Sequence, residues 1–346
     1  MGESSPRRRV RSAALTLAAV CTAVAAVVVP VGSAAAAGPF VVDDPLDGVD
    51  LSIDGVCATA TGTCTLRAAV QEAVAAGGTT VVTFDPAVTI AALSVGGPGG
   101  AAEGDLDLAA GTTLQLRGNV VDGTTTTRVD ASGLGDRLFE VAAGARLDLQ
   151  FVSLTGGDTT GDGGAVLNHG ELGVATSPDF AGLWTAFWGN HADGHGGAVS
   201  STFDSTVSIT DTSTAPTASS VRFQDNSADL GGGSIHLDGA AATLAGSSEG
   251  ATHDVYVDSG TTPGDGGGIE VLNGGRSEIL CRAFVRFSSA ARGGNVFIGG
   301  STSGGIVELS GGGLDAGSAS EGGAAYVDVG DLEVTDDCHG TSTISR

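Results

Sequence analysis

The sequence predicts an all-β chain, a parallel β-helix solenoid with a short N-terminal capping helix. Three observations carry this. A glycine-punctuated motif recurs along the chain, short β runs fill the intervals from Thr79 onward, and one amphipathic helical stretch at 65–76 precedes them. The clearest copy of the motif is Phe187-Trp-Gly-Asn-His-Ala-Asp-Gly-His-Gly-Gly-Ala-Val199. It recurs from Phe223 to Gly233 and, in worn form, from Phe287 to Gly294; Gly-Gly followed by an apolar run also occurs at Gly163-Gly164, Gly267-Gly268 and Gly322-Gly323. The last glycines, at 164, 197, 233, 268, 294 and 323, are separated by 33, 36, 35, 26 and 29 residues. Self-similarity at such a period marks a repeat architecture.

The chain begins with a leader. Arg7, Arg8, Arg9 and Arg11 precede an apolar run from Ala13 to Val29, and Ser33-Ala-Ala-Ala-Ala37 offers a small-residue cleavage site. This predicts a signal peptide over 1–37 and a secreted or cell-surface-associated mature chain. After cleavage no later segment is long and apolar enough to span a membrane. The net charge is −25, with no lysine in the sequence, and becomes more negative once the leader arginines are removed. Such a field repels nucleic acid and anionic lipid, so neither is expected as a partner.

Residues 38–78 read as an N-terminal cap. An acidic lead-in carries Cys57 and Cys64, and the helix follows: Thr65 as N-cap, Gly77 just past its end, and Leu66, Ala69, Val70, Ala73 and Val74 on one face. A solenoid exposes an apolar cross-section that such a helix can cover. Residues 79–346 read as the β-helix. Val81–Phe84, Leu106–Leu108, Leu114–Leu116, Asn119–Asp122, Arg128–Asp130, Leu138–Val141 and Leu147–Leu149 are short β runs separated by Asp, Gly and Thr. Glycines serve the corners, and the Asn of Phe-x-x-Asn (Asn190, Asn226) is expected at an inward turn, stacked on its neighbour's amide. The preceding Phe187, Phe223 and Phe287 are expected in the core.

Four cysteines remain after the leader, an even count that favours disulfides in a secreted chain. Cys57 and Cys64 are close enough to pair at once. Cys281 and Cys338 fall at similar places on coils two apart, about 9.6 Å in an unbroken stack, beyond disulfide reach. Their pairing therefore predicts that the chain after Asp336 leaves the stack and folds back over its end.

Cys64-Thr-Leu-Arg-Ala-Ala69, with a cysteine seven residues earlier, resembles the CSLREA motif of secreted bacterial β-helix proteins, with Thr65 in place of serine and Ala68 in place of glutamate. The Phe-x-x-Asn and Gly-Gly-Ala repeats resemble those of polymorphic outer-membrane proteins and other right-handed parallel β-helices. The resemblance implies a right-handed solenoid in an extracellular or surface protein; relatives by fold include adhesins and polysaccharide-degrading enzymes.

The residues before each glycine pair, Asp162, His195, Gly231, Gly266, Arg292 and Glu321, should form one stripe across stacked coils. Asp162 beside His195 is the nearest approach to an acid/base pair, so Asp162, His195, Arg292 and Glu321 are the catalytic candidates. Calcium bound between acidic turns, by Asp158 with Asp162, is the metal reading. No complete catalytic constellation is visible, and a lyase base would have to be an arginine with a strongly depressed pKa. The expectation is a non-catalytic secreted or surface protein that binds an extracellular polysaccharide or cell-surface component. The alternative is a polysaccharide lyase or glycoside hydrolase on a pectate-lyase-like scaffold.

Overall fold

The computed structural model describes residues 38–94, 104–121, 125–176, 184–211, 219–247, 254–301, 303–335 and 343–345. The expected signal peptide lies outside the described residues. No helix among them is long and apolar enough to cross a membrane.

The fold is a parallel β-helix. Each full coil contributes one strand to each of three stacked sheets. One coil runs through Val199–Thr202, Thr206–Thr210 and Ser220–Gln224, makes a short turn strand at Ser227–Ala228, and enters the next coil at Ile235–Asp238. The first sheet stacks ten strands, from Phe40–Val42 to Gly330–Thr335. The second runs from Ile90–Ala92 to Thr343–Ile344, and the third stacks eight, from Leu106–Leu108 to Ala325–Val327. The β runs read from the sequence fall in these sheets because alternation sends every second residue inward. Inward residues form ladders: Leu116, Leu149, Val174, Ile209, Leu244, Ile279 and Leu309 are in register in the first sheet and buried.

The N-terminal end is closed as the sequence indicates. The helix spans Leu66–Ala76, Thr65 caps it by accepting a hydrogen bond from the Ala68 amide, and Gly77 ends it at φ 65°. Leu66, Ala69, Val70 and Ala73 are buried against Gly78–Phe84, Leu106–Leu108 and Thr112–Arg117. Cys57 and Cys64 form a disulfide with their Cα atoms 5.1 Å apart. The lead-in, read from the sequence as part of the cap, also supplies a strand to the solenoid: Phe40–Val42 is the outermost strand of the first sheet, paired in parallel with Gly78–Phe84. Arg67 lies fully buried, its Nε and NH2 donating to Asp47 at 2.8 and 3.0 Å and NH2 to the Gly104 carbonyl at 2.8 Å. Glu72 accepts from the Asp54 and Gly55 amides at 2.9 and 2.8 Å, tying the lead-in to the helix. The arginine of the Cys-Thr-Leu-Arg-Ala-Ala stretch thus joins the cap to the first coil.

The asparagines sit where the repeats place them. Asn190 Nδ2 donates to Asn226 Oδ1 at 3.1 Å, and both residues are fully buried. Phe187 and Phe223 are buried and stacked, with ring centroids 4.4 Å apart.

Three expectations need correction. Phe287 is not core: it is 56% exposed, with φ 56°. It belongs to a column of left-handed corner residues with Gly189, Asp225, Ser259 and Ala316, all at positive φ. The inward position of that coil is filled by Val285, in register with Val257, Phe223 and Phe187. The stripe residue between Gly231 and Arg292 is Asp265, bridged to both, rather than Gly266. The left-handed corner glycine of that turn is Gly266, so the structural pair is Gly266-Gly267. The tail also returns to the stack: Thr343–Ile344 pairs in parallel with Gly313–Leu314 as the next strand of the second sheet. Cys281 is disulfide-bonded; Cys338, and with it the expected Cys281–Cys338 bridge, lies outside the described residues.

Candidate functional site

The turn stripe is real in the backbone. His195, Gly231, Asp265, Arg292 and Glu321 are bridged in sequence along the stack. The Gly163 amide donates to the His195 carbonyl at 2.9 Å, which puts Asp162 one rung before. All four catalytic candidates therefore share one edge of the solenoid, but their side chains make different partnerships. Asp162 does not meet the His195 imidazole; its Oδ1 accepts from the His195 backbone amide at 2.7 Å. Arg292 is held two-pronged by Asp265, Nε at 2.9 and NH2 at 2.5 Å, and its guanidinium lies 4.7 Å from the Phe297 ring. Glu321 is exposed on the rung after Arg292. Asp158, the other calcium candidate, is exposed and paired through its backbone with His191.

The His195 imidazole instead reaches two coils onward. Its Nδ1 lies 2.9 Å from Glu270 Oε2, and His236 Nδ1 lies 2.8 Å from the same oxygen. The two rings stack with centroids 4.4 Å apart. His236 and Glu270 are adjacent outward-facing partners on the third sheet, both buried beneath the turn stripe. Gly231 makes the arrangement feasible. A Cβ there would stand 2.4 to 2.7 Å from the Glu270 carboxyl atoms, so any side chain would close the opening through which His195 passes. Burial by itself would raise the Glu270 pKa, but hydrogen bonds with His195 and His236 outweigh it and hold the carboxyl below its usual range. The His195 pKa is raised, chiefly by the hydrogen bond to Glu270, against desolvation. The result is a buried carboxylate facing two imidazoles. His236 and Glu270 escaped sequence reasoning. Their signal was faint: each is the second residue of an apolar strand start after the glycines, 34 positions apart.

A second feature lies on the outer face of the second sheet. Both tryptophans of the chain, Trp184 and Trp188, are on one strand, 42% and 50% exposed, with Ala186 between them. They line a groove of about 570 Å³ together with Arg128, Arg222, Thr155 and Gln224. The Arg222 guanidinium stands 4.9 Å from a Trp184 ring and 5.4 Å from the Tyr256 ring, and its Nε donates to Ser220 Oγ at 3.0 Å. Trp188 Nε1 donates to Asp225 at 3.3 Å. The aromatic column continues to Phe284, stacked on Tyr256 at 5.8 Å. The signal in the sequence is two tryptophans at i and i+4 of a strand, and so on one face, on either side of the inward Phe187 of the repeat motif.

A third cluster, Asp105, Asp107 and Glu140, is wholly acidic. Asp105 is buried, and its pKa is pushed up to about 6 by desolvation, then by Asp107 and Asp136, against the attraction of Arg137. A carboxyl with a raised folded-state pKa binds more protons folded than unfolded between 3.8 and about 6, so its contribution to stability falls as pH rises through that window. Asp105→Asn should therefore raise the unfolding free energy at pH 7.5, by about 1–3 kcal/mol at about 1.4 kcal/mol per pKa unit. The gain should shrink toward pH 4. Urea melts at both pH values check this, and an equal effect at both would refute the assignment.

Comparison of the chain with protein-family models, with curated proteins and with solved structures finds no match. The functional reading rests on the geometry above.

Proposed function

We propose that this chain is a secreted or cell-surface, non-catalytic protein that binds polysaccharide along the outer face of its second sheet. The observation that carries the reading is the Trp184/Trp188 groove. Two indole rings presented to solvent on one strand offer apolar faces to sugar rings, and Arg222 and Gln224 supply hydrogen-bond donors beside them. A long concave or flat face suits an extended polymer, as in other solenoids. The Cys-Thr-Leu-Arg-Ala-Ala stretch and the Phe-x-x-Asn repeats, which resemble those of secreted right-handed β-helix proteins, support the extracellular location, as does the Cys57–Cys64 disulfide.

The lyase alternative needs an arginine that can lose a proton. Arg286 and Arg292 are each held by a carboxylate that raises the guanidinium pKa, so they remain cations. The glycoside hydrolase alternative has one observation in its favour, the His195–Glu270–His236 trio, in which a carboxylate and two imidazoles meet beneath a surface stripe. Immobilised pectin, alginate and neutral glycans should distinguish the readings. The parent chain should bind at least one of them without releasing products. Trp184→Ala with Trp188→Ala should weaken that binding by about tenfold or more, since covering even about 60 Å² of indole face at about 25 cal/mol per Å² contributes about 1.5 kcal/mol. Binding indifferent to both tryptophans would remove the groove. Released sugars, abolished by His195→Ala or by an arginine substitution, would establish an enzyme.

A further inference from the structure

We propose that His195, His236 and Glu270 form a binding site for a divalent first-row transition ion of the zinc type. The site is separate from the groove and does not depend on the polysaccharide reading. The three side chains come from one turn and two strands of three successive coils and converge on one point. Their nearest ligating atoms, the two Nδ1 atoms and Glu270 Oε2, are 2.9 and 2.8 Å apart in pairs, and the set lies within 4.8 Å. A tetrahedral ion with bonds of about 2.0–2.2 Å places its donor atoms roughly 3.3–3.6 Å apart. An opening of about half an ångström, within the reach of side-chain rotation, would seat it. The near-parallel rings, 30° apart, turn both Nδ1 atoms to the same carboxylate oxygen.

The donor chemistry selects the ion. Two imidazole nitrogens and one carboxylate suit zinc, cobalt, nickel or copper. Calcium requires a shell of oxygens that these residues do not provide. Three protein ligands leave a fourth position open. A second observation lies on the adjoining rung. Ser200 lies on the same outward column, one rung before His236, and its hydroxyl is fully buried without a hydrogen-bond partner. A buried hydroxyl left alone is unfavourable; a ligand on the ion would give it a partner. The missing side chain at Gly231 again matters, because it leaves the space over Glu270 in which ion and fourth ligand would sit.

The test uses the full mature chain without a histidine tag. Titration with Co2+ should produce visible d–d absorption of a tetrahedral site, saturating at one ion per chain and displaced by Zn2+, while Ca2+ should leave the signal unchanged. His195→Ala removes a ligand that is only partly buried and should keep the fold, as melting can verify. It should weaken Co2+ and Zn2+ binding by about a hundredfold or more, the upper end of what losing even an outer-shell partner costs. Gly231→Val, which fills the opening from the opposite side, should do the same in a chain that still melts cooperatively. His191→Ala, in the separate exposed trio with Asp193 and Asp229, should leave the spectrum as it is. Absence of saturable binding by the parent chain, or binding that survives His195→Ala but is lost with His191→Ala, would overturn the proposal and leave the trio a hydrogen-bonded surface strut.

Discussion

Arg67→Met should lower the unfolding free energy by about 3–5 kcal/mol, the cost of breaking a buried ion pair from one side. Methionine keeps much of the side-chain volume, so the loss measures charge and hydrogen bonding more than packing. Both side chains of the Arg67–Asp47 pair are fully shielded from solvent. Removing the guanidinium takes the cation from the buried Asp47 carboxylate and a donor from the Gly104 carbonyl. Asp47 also accepts from the Ser94 amide at 2.8 Å, so the loop beside the first coil loosens with it. Because a solenoid unfolds in local units, the change should appear first as faster amide exchange in Leu66–Ala76 and Gly78–Phe84, and as an earlier phase in urea. Asp47→Asn combined with Arg67→Met should recover part of the loss, since no uncompensated charge then remains. A single variant that melts and exchanges like the parent would show that the pair does not fasten the cap.

Asn226→Ala should destabilise the middle coils by about 2–5 kcal/mol. Asn226 Oδ1 accepts from both the amide and Nδ2 of Asn190, each at 3.1 Å, and its own Nδ2 donates to the Phe187 carbonyl at 3.0 Å. All are buried where water does not reach, so alanine takes the partner of the Asn190 amide and of the Phe187 carbonyl and leaves Asn190 Nδ2 only its bond to the Leu154 carbonyl at 3.2 Å, with each lost bond costing about 1–3 kcal/mol. The neighbouring Asp225→Gly serves as contrast. Asp225 holds φ 54° on the surface, a conformation glycine adopts without strain, so that variant should melt at or above the parent. If Asn226→Ala and Asp225→Gly behave alike, the asparagine ladder contributes nothing beyond filling its corner.

The helix and its ends were legible because capping chemistry and 3.6-residue periodicity are local. Thr65, Gly77 and the apolar face of Leu66, Ala69, Val70 and Ala73 act within a dozen residues of one another. The β-helix was legible because each coil must turn a corner at a left-handed residue, and Gly163, Gly196, Gly232, Gly293 and Gly322 recur there. The Asn190–Asn226 stack followed from the same periodicity. Where coils shorten, matching by residue type slipped. Phe287 resembles Phe187 and Phe223 in its surroundings, but it stands two residues past the inward position held by Val285. In the Gly266-Gly267-Gly268 run, identity alone does not say which glycine takes the corner.

The sequence by itself determined that this is a capped, glycine-cornered stack of parallel strands with a short disulfide at its N-terminal end. Only the tertiary structure decided which side chains meet. His195 pairs with Glu270, 75 residues away, because two coil lengths put them two rungs apart and Gly231 between them has no side chain. Asp162, the partner that spacing suggested, turns to a backbone amide. Trp184 and Trp188 become one surface with Arg222 because the next strand places Arg222 opposite Ala186. Periodicity fixes the rise and the corners of each coil, which every repeat shares. The meeting of outward side chains depends on register between coils of unequal length, and a shift of one residue sends each side chain to the other face.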